Sequence, residues 1–290
     1  MSRRLIPALL AVMLLLAPAL AWAEPALFVA RSGAATLYLF GTIHVLKPGT
    51  NWESAKIRRA FDASADLWLE VKDLDDTAAQ VPLMQQYGID LANPLSSKLS
   101  PSDLQRVDTA LKQAGQPAGE AAAEPLRPWL VGMMLGIAPA LQEGLDPKSG
   151  VDLALKAQAD QAGKPVHGLE TIEQQLRYFA DMPQVEEISF LRSVLDDVAA
   201  GPEKLNAMLA AWEAGDMATL GKLALEDDAD KDPALYRTMF TNRNIAWAKQ
   251  LVQRMKTGGV SFVAVGAGHL AGPDSLVVQL QKLGVAVTRE

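Results

Sequence analysis

Cysteine is absent from this chain, and histidine occurs only three times in 290 residues. The lack of cysteine excludes disulfides, thiolate nucleophiles, thiolate zinc sites and a lipid-modified cysteine. Stability must therefore come from core packing rather than from covalent cross-links. The 49% hydrophobic content supplies such a core and excludes a disordered chain.

Long apolar runs are also absent, except at the amino terminus. Two arginines precede an apolar run from Leu5 to Leu20, and the small-x-small triplet Ala21–Ala23 follows it. This pattern is typical of a cleavable secretory signal over residues 1–23. Pro7 and Pro18 interrupt the run and leave it short for a bilayer span of about 20 residues. We therefore expect a periplasmic or secreted protein with no stable membrane anchor after cleavage.

Basic side chains are fewer than acidic ones, with 27 Lys and Arg against 34 Asp and Glu. Cleavage after Ala23 would remove two arginines and leave 25 basic and 34 acidic side chains, a net charge of −9. Nucleic acids and anionic membranes attract basic surfaces, so both are disfavoured as partners. A peptide or a small molecule is the expected substrate, and the oligomeric state stays open.

Strand-like runs lie at both ends of residues 24–290, and helical periodicity fills the middle. Strands are predicted at Leu27–Ala30, Thr36–Phe40, Asp66–Val71, residues 165–169, Val260–Val265 and Val285–Thr288. Helices are predicted at Ser54–Ala63, Pro101–Ala114, Pro128–Leu141, Gly150–Ala162, Val185–Ala199, Pro202–Ala214, Pro233–Met255 and Pro273–Leu283, with a further helix from Thr171.

This order predicts an α/β (α+β) fold in one domain over residues 24–290. A central mixed sheet takes strands from both chain ends. A largely helical region at about 77–256, with one strand near 165–169, flanks and caps it. The acidic run 226–232 is interpreted as a solvated loop, because Pro233, directly after it, stands where a calcium loop needs glycine.

Two of the three histidines close the same pattern, Gly-x-x-His, at Gly41–His44 and Gly266–His269. Each pattern follows a strand-like run, so each imidazole is expected just past the carboxyl end of a strand, where open α/β sheets place ligands. A glycine there lets the backbone turn sharply or approach a ligand closely. The matched contexts indicate one shared site. His167 lies within an apolar strand and is interpreted as structural.

Glu70 is the expected third member of this site, because it ends the next strand after His44. Two histidines and one carboxylate form a common set of ligands for a divalent metal ion, with positions open for water and substrate. The alternative is a solvated strand end, since acidic residues follow Glu70 closely. Arg243 opens an apolar helix, where it can clamp a substrate carbonyl or cover Trp247 at the surface.

The sequence resembles the TraB/PrgY/GumN family, which includes the Tiki metalloproteases and is more distantly similar to erythromycin esterases and ChaN-like haem-binding proteins. The resemblance rests on five segments spread over nearly all of residues 24–290. They are Leu39–His44, Leu69–Glu70, Gly168–Thr171 with Gln174 or Gln175, Asn242–Asn244 and Val265–Leu270.

The resemblance implies a hydrolase-like site built from His44, Glu70 and His269, with Arg243 as a possible helper. In the Tiki branch a divalent metal ion is needed for peptide cleavage, whereas the esterase branch uses His and Glu as acid and base. Tiki proteins are membrane-anchored and this chain lacks an anchor, so their substrate is not carried over.

Three hypotheses follow. The first is an exported metal-dependent hydrolase, a peptidase, in which His44, Glu70 and His269 hold Mn, Co or Zn. The second is a metal-free esterase or amidase that uses His and Glu as acid and base. The third is a non-catalytic periplasmic protein that binds haem or a metal.

Overall fold

The computed structural model describes residues 24–226, 230 and 232–290. The predicted signal segment and most of the predicted acidic loop lie outside these residues. The strands are β1 Leu27–Ser32, β2 Ala35–Thr42, β3 Asp66–Val71, β4 Val166–Glu170, β5 Gly259–Gly266 and β6 Ala286–Arg289.

Helices connect the strands and fill the middle of the chain. In the first half they are α1 Ala55–Ala63, α2 Thr77–Gly88, α3 Leu95–Lys98, α4 Pro101–Gln113, α5 Glu120–Ala123, α6 Pro128–Gln142 and α7 Val151–Gln161. In the second half they are α8 Ile172–Ala180, α9 Gln184–Ala200, α10 Glu203–Glu213, α11 Met217–Gly221, α12 Pro233–Tyr236, α13 Asn242–Met255 and α14 Leu276–Lys282.

All six strands form one mixed sheet in the order β4-β3-β5-β2-β1-β6. The first four are mutually parallel, and β1 runs antiparallel to both of its neighbours. The chain ends meet in the middle of the sheet, because β5 from the carboxyl-terminal end lies between β3 and β2. The predicted α/β class, with a mixed sheet from both chain ends and a helical middle, is confirmed.

Helices cover both faces of the sheet, because strand residues alternate between two apolar clusters. On one face Phe40, Leu69 and Phe262 pack with α1 and α7. On the other face Leu39 and Val263 pack with α13 and α14. A further apolar cluster joins α4, α6 and α9 away from the sheet. The sheet is therefore a buried middle layer, and its strand ends are the places where polar side chains can converge.

Several helices differ from the sequence prediction. The helix α2 was not predicted; it contains Pro82 and buries little beyond Gly88, so its sequence carries no amphipathic signal. The predicted helix Pro233–Met255 is interrupted by a π-helical turn at Arg237–Thr241. The last helix begins at Leu276 rather than Pro273, because the Ser275 hydroxyl caps it by accepting from the Val278 N–H.

Within the part of the chain that the structure describes, no helix combines the length and the apolar character needed to cross a bilayer.

Candidate active site

The carboxyl ends of the four parallel strands converge on one polar cluster. His44 lies two residues beyond β2, and Glu70 is the penultimate residue of β3. Glu170 ends β4, and His269 lies in the 3-10 turn Ala267–Leu270 that follows β5. Parallel strands end at the same edge of a sheet, which is why residues from four distant segments meet here.

Glu70 is buried and held at both carboxylate oxygens. Its Oε1 accepts the Gly266 N–H at 2.7 Å and lies 3.8 Å from Nε2 of His269. Its Oε2 accepts from Nη2 of Arg243 at 2.7 Å and from Nε2 of Gln175 at 3.0 Å. Burial alone would raise the pKa of Glu70, but the adjacent basic side chains and the Gly266 N–H outweigh burial and lower it to about 2. Glu70 is therefore a carboxylate at any physiological pH.

Arg243 is buried between two carboxylates. Besides its bond to Glu70, its Nη2 donates to Oε2 of Glu170 at 2.9 Å, and its Nε donates to Oε1 of Glu170 at 3.1 Å. Its guanidinium carbon lies 4.7 Å from the ring centroid of Trp247 and 5.4 Å from that of Tyr178. Of the two predictions made for Arg243, the surface position is wrong, because the two carboxylates compensate its charge in the interior.

His269 is fixed in one tautomer by its neighbours. The Asn244 amide donates through Nδ2 to the Asp274 carbonyl at 2.9 Å, so its Oδ1 faces Nδ1 of His269 at 2.8 Å. Nδ1 of His269 therefore carries the proton, and Nε2 accepts from Nη1 of Arg243 at 3.3 Å. Burial lowers the pKa of His269 to about 3 against the opposing charge of Glu70. The imidazole is neutral at physiological pH.

His44 is the accessible imidazole, with 65% of its side chain exposed. Its Nδ1 donates to Oδ2 of Asp152 at 2.8 Å, while Oδ1 of Asp152 accepts from the Thr42 hydroxyl at 2.6 Å. The Val151 N–H bonds the Ile43 carbonyl at 3.0 Å and brings the first turn of α7 to this position. The charge of Asp152 raises the pKa of His44 to about 9. The two histidines therefore carry opposite protonation states.

The two glycines of the Gly-x-x-His motifs provide space rather than an unusual backbone angle, because neither has a positive φ. A Cβ on Gly266 would lie 3.1 Å from Oε1 of Glu70 and 3.6 Å from Nε2 of His44. A Cβ on Gly41 would lie 3.0 Å from the Ala267 Cα. Gly266 thus keeps open the space between the carboxylate and the accessible imidazole, and Gly41 admits the turn that carries His269.

In this arrangement Arg243 competes with a metal ion for two of the predicted ligands, Glu70 and His269. Among the described residues, no three His, Asp or Glu side chains are grouped as a metal ion requires. The Arg243 guanidinium occupies the coordinating lone pair of His269 at 3.3 Å and one oxygen of Glu70 at 2.7 Å. A cation bound by both residues would have to replace these two contacts.

Sequence reasoning missed Asp152 and left the role of Glu170 open. Asp152 gave no signal, because an acidic residue in the first turn of a helix is commonly explained by the helix dipole. The third histidine, His167, lies apart from the cluster. Its ring contacts that of Trp68 at a centroid distance of 4.7 Å, and its Nε2 lies 3.7 Å from Asp66.

The fold and the cluster together define an α/β protein with a buried carboxylate, guanidinium and imidazole centre at the carboxyl edge of its parallel strands. The chain belongs to the TraB/PrgY/gumN family, whose family model matches residues 26–289. The family resemblance inferred from the sequence is confirmed, and the link to Tiki proteases stays a prediction.

Two relatives show how far this similarity extends. An uncharacterized protein of Treponema pallidum (strain Nichols) is 25% identical over 268 residues, which cover 87% of this chain and 79% of the relative. The uncharacterized protein YbaP of Escherichia coli (strain K12) is 24% identical over 257 residues, 89% of this chain and 92% of the relative. No solved structure matches the chain.

Proposed function

We propose that this chain is an exported hydrolase that cleaves acyl bonds in a peptide or small-molecule substrate without a metal ion. The supporting observation is the pair of oppositely shifted groups beside Gly266. Glu70 has its pKa lowered to about 2, and His44 has its pKa raised to about 9. The lowered pKa keeps Glu70 a charged hydrogen-bond acceptor for water, and the raised pKa keeps His44 a proton donor at neutral pH.

In the proposed reaction, Oε1 of Glu70 accepts a hydrogen bond from a water molecule and orients it, and solvent takes a proton from this water as its oxygen attacks the substrate carbonyl carbon. The tetrahedral adduct then collapses and breaks the acyl bond. The leaving group takes a proton from Nε2 of the His44 imidazolium. A proton from solvent then returns His44 to its imidazolium form.

Arg243 and His269 support this step through Glu70. The Arg243 charge keeps Glu70 ionised, and its bond to Oε2 leaves Oε1 directed towards the space beside Gly266. His269 lies with Nε2 3.8 Å from the same oxygen. Its fixed tautomer directs the Nε2 lone pair, rather than an N–H, towards Arg243.

The second candidate is a metal-dependent peptidase, which one observation favours. The Nδ1 atoms of His44 and His269 are both hydrogen-bonded to side-chain oxygens, of Asp152 and Asn244, as is usual for metal-bound imidazoles. In this candidate His44, Glu70 and His269 would hold Mn, Co or Zn after Arg243 withdraws. Such an ion would polarise a carbonyl and acidify water.

Export is proposed from the sequence of residues 1–23, and a periplasmic or secreted location follows from it.

The haem- or metal-binding hypothesis also stays a prediction. Titration of the purified protein with haem, followed by visible absorbance, would test it.

The proposed function is tested with purified protein on a fluorogenic peptide library and on p-nitrophenyl esters, before and after exhaustive chelation. We expect turnover that survives chelation and is lost in His44→Ala and in Glu70→Gln. Loss on chelation with recovery on adding Mn, Co or Zn would favour the metal-dependent candidate. Equal turnover by the wild type and both variants would reject this site.

A further inference from the structure

Glu170 is a second buried carboxylate, one strand away from Glu70. Its Oε1 accepts from Trp247 Nε1 at 2.9 Å and from the Tyr178 hydroxyl at 3.0 Å, in addition to Nε of Arg243. Its Oε2 accepts from Nη2 of Arg243 at 2.9 Å and from Gln175 at 3.2 Å. Five hydrogen bonds are more than a solvated strand end would make, so the position of Glu170 is strongly determined.

Arg243 contacts Glu170 and Glu70 with different geometries. A guanidinium prefers to bind a carboxylate as a fork, with two parallel N–H groups on its two oxygens. Here the fork formed by Nε and Nη2 is directed at Glu170. Glu70 receives a single bond, to Oε2, so its Oε1 is left to the Gly266 N–H and the open space.

We propose that Glu170 is a positioning residue that prevents Arg243 from binding both oxygens of Glu70. By holding the fork of the guanidinium, it leaves Oε1 of Glu70 available to substrate water and keeps Nη1 beside His269. This role rests on the proposed function only in the step that Glu70 performs. The aromatic rings of Trp247 and Tyr178, close to the guanidinium, hold Arg243 in the same orientation.

The geometric test is a pair of crystal structures, of Glu170→Gln and of Glu187→Gln. In Glu170→Gln an amide NH₂ group replaces Oε2, which accepts from Nη2 of Arg243 in the wild type. Two donors would then face each other, so the guanidinium is expected to turn and bind both oxygens of Glu70. Glu187→Gln is the matched control, because Glu187 is also a buried partner of an arginine, Arg127, outside this cluster. Arg243 is expected to be unmoved in the control.

If Glu170→Gln does not fold, Glu170→Asp replaces it, because the shorter side chain withdraws the carboxylate from the guanidinium while keeping its charge. An unchanged Arg243 orientation in the folded Glu170 variant would overturn the proposal, whether or not a substrate is known. The proposal would also be overturned if Arg243 bound both oxygens of Glu70 in the Glu187→Gln control, because the movement would then not depend on Glu170.

The kinetic test measures kcat and KM on the substrate that the peptide and ester panel identifies. Glu170→Gln is expected to lower kcat about 10- to 100-fold with little change in KM, because the reacting oxygen is occupied. Lysine cannot bind two carboxylate oxygens as a fork. In the Arg243→Lys variant there is therefore no fork for Glu170 to hold, and adding Glu170→Gln is expected to lower kcat little further. Fully additive losses in the double variant would overturn the positioning role.

The two proposals fail in different ways. If His44→Ala and Glu70→Gln keep wild-type turnover, the proposed function fails, and the crystal structures still decide how Glu170 acts on Arg243. If those two variants are inactive while Glu170→Gln keeps wild-type kcat, only the positioning role fails.

Discussion

At the scale of single residues, the proposed proton donor is His44, which is paired with Asp152. Asp152 raises the pKa of His44 to about 9, so the imidazole is protonated and can act as an acid at neutral pH. A neutral imidazole cannot donate to a leaving group. We therefore expect kcat/KM of the wild type to be level near neutrality and to fall as the pH rises through about 9.

Asp152→Asn removes the charge that raises the pKa of His44, so the alkaline fall in kcat/KM is expected at a lower pH. The measurement is the pH–rate profile of each protein between pH 6 and pH 10, a range set by these pKa values. Asp160→Asn on the same helix is the control, since Asp160 is exposed and pairs with Lys156. Activity that increases through pH 9 would contradict the acid role of His44.

Gly266 allows the space of the site to be tested separately from its charges. The Cβ of Gly266→Ala would lie between Oε1 of Glu70 and Nε2 of His44, where the substrate carbonyl is expected. We expect turnover to fall about 10- to 100-fold. Gly136→Ala in α6 is the control, because its Cβ would meet nothing closer than 3.8 Å. A variant with wild-type turnover would exclude this space as the reaction site.

His44 and His269 lie in a repeated local motif, whereas Asp152 is marked only by a long-range contact. His44 and His269 were found because two rare residues repeat one motif after two strand-like runs. Asp152 was missed because its contact with His44 spans 108 positions and depends on how α7 docks. No local pattern encodes such a contact, and an acidic residue at a helix start is common.

Gly41 shows how, at the scale of elements, the packing of β2 controls the turn after β5. A Cβ on Gly41→Ala would press on Ala267 at 3.0 Å, and this turn carries His269. We expect a loss of about 1–3 kcal/mol in the free energy of unfolding, as for an overpacked core, together with reduced turnover. Chemical denaturation and the peptide or ester assay measure the two effects. Unchanged stability would show that this contact is not constrained.

The elements were predictable where local pattern and tertiary packing agree. The strand β3 was predicted at its observed bounds, Asp66–Val71, because apolar residues fill it between turn signals. The helix α2 was not predicted, because tertiary contacts rather than an amphipathic pattern hold it. The π-helical turn at Arg237–Thr241 was also missed, although it supplies the Met239 carbonyl that accepts from Arg243 at 3.2 Å.

For the whole molecule, the buried site implies that acid lowers the free energy of unfolding. The folded-state pKa of His269 is depressed to about 3, and the ordinary histidine value is 6.5. Folded His269 therefore binds fewer protons than unfolded His269, so the contribution of His269 to stability is complete above pH 6.5 and is lost as the pH falls towards 3. Glu70, depressed from 4.5 to about 2, adds a further loss below pH 4.5.

His269→Gln is expected to flatten the loss of stability between pH 6.5 and pH 4.5, because the variant has no imidazole to protonate there. Urea denaturation at a series of pH values measures this change in slope for the wild type and the variant. His167→Gln is the control, since His167 lies at a half-exposed position away from the site. An equal slope in wild type and His269→Gln would contradict a depressed pKa.

The overall class was predictable because strands occur at both chain ends and helices between them. The strand order was not, since nothing local indicates that β5 lies between β3 and β2. That order brings His44, Glu70 and His269 together from three segments, and it follows from the packing of two apolar faces.

The opposite protonation states of His44 and His269 are the central claim, and ¹⁵N NMR titration of the histidine side chains tests it most directly. With three histidines in the chain, each is assigned from one substitution. At pH 7 we expect His44 to be an imidazolium and His269 to be neutral with its proton on Nδ1. A neutral His44 or a protonated His269 at pH 7 would contradict this claim.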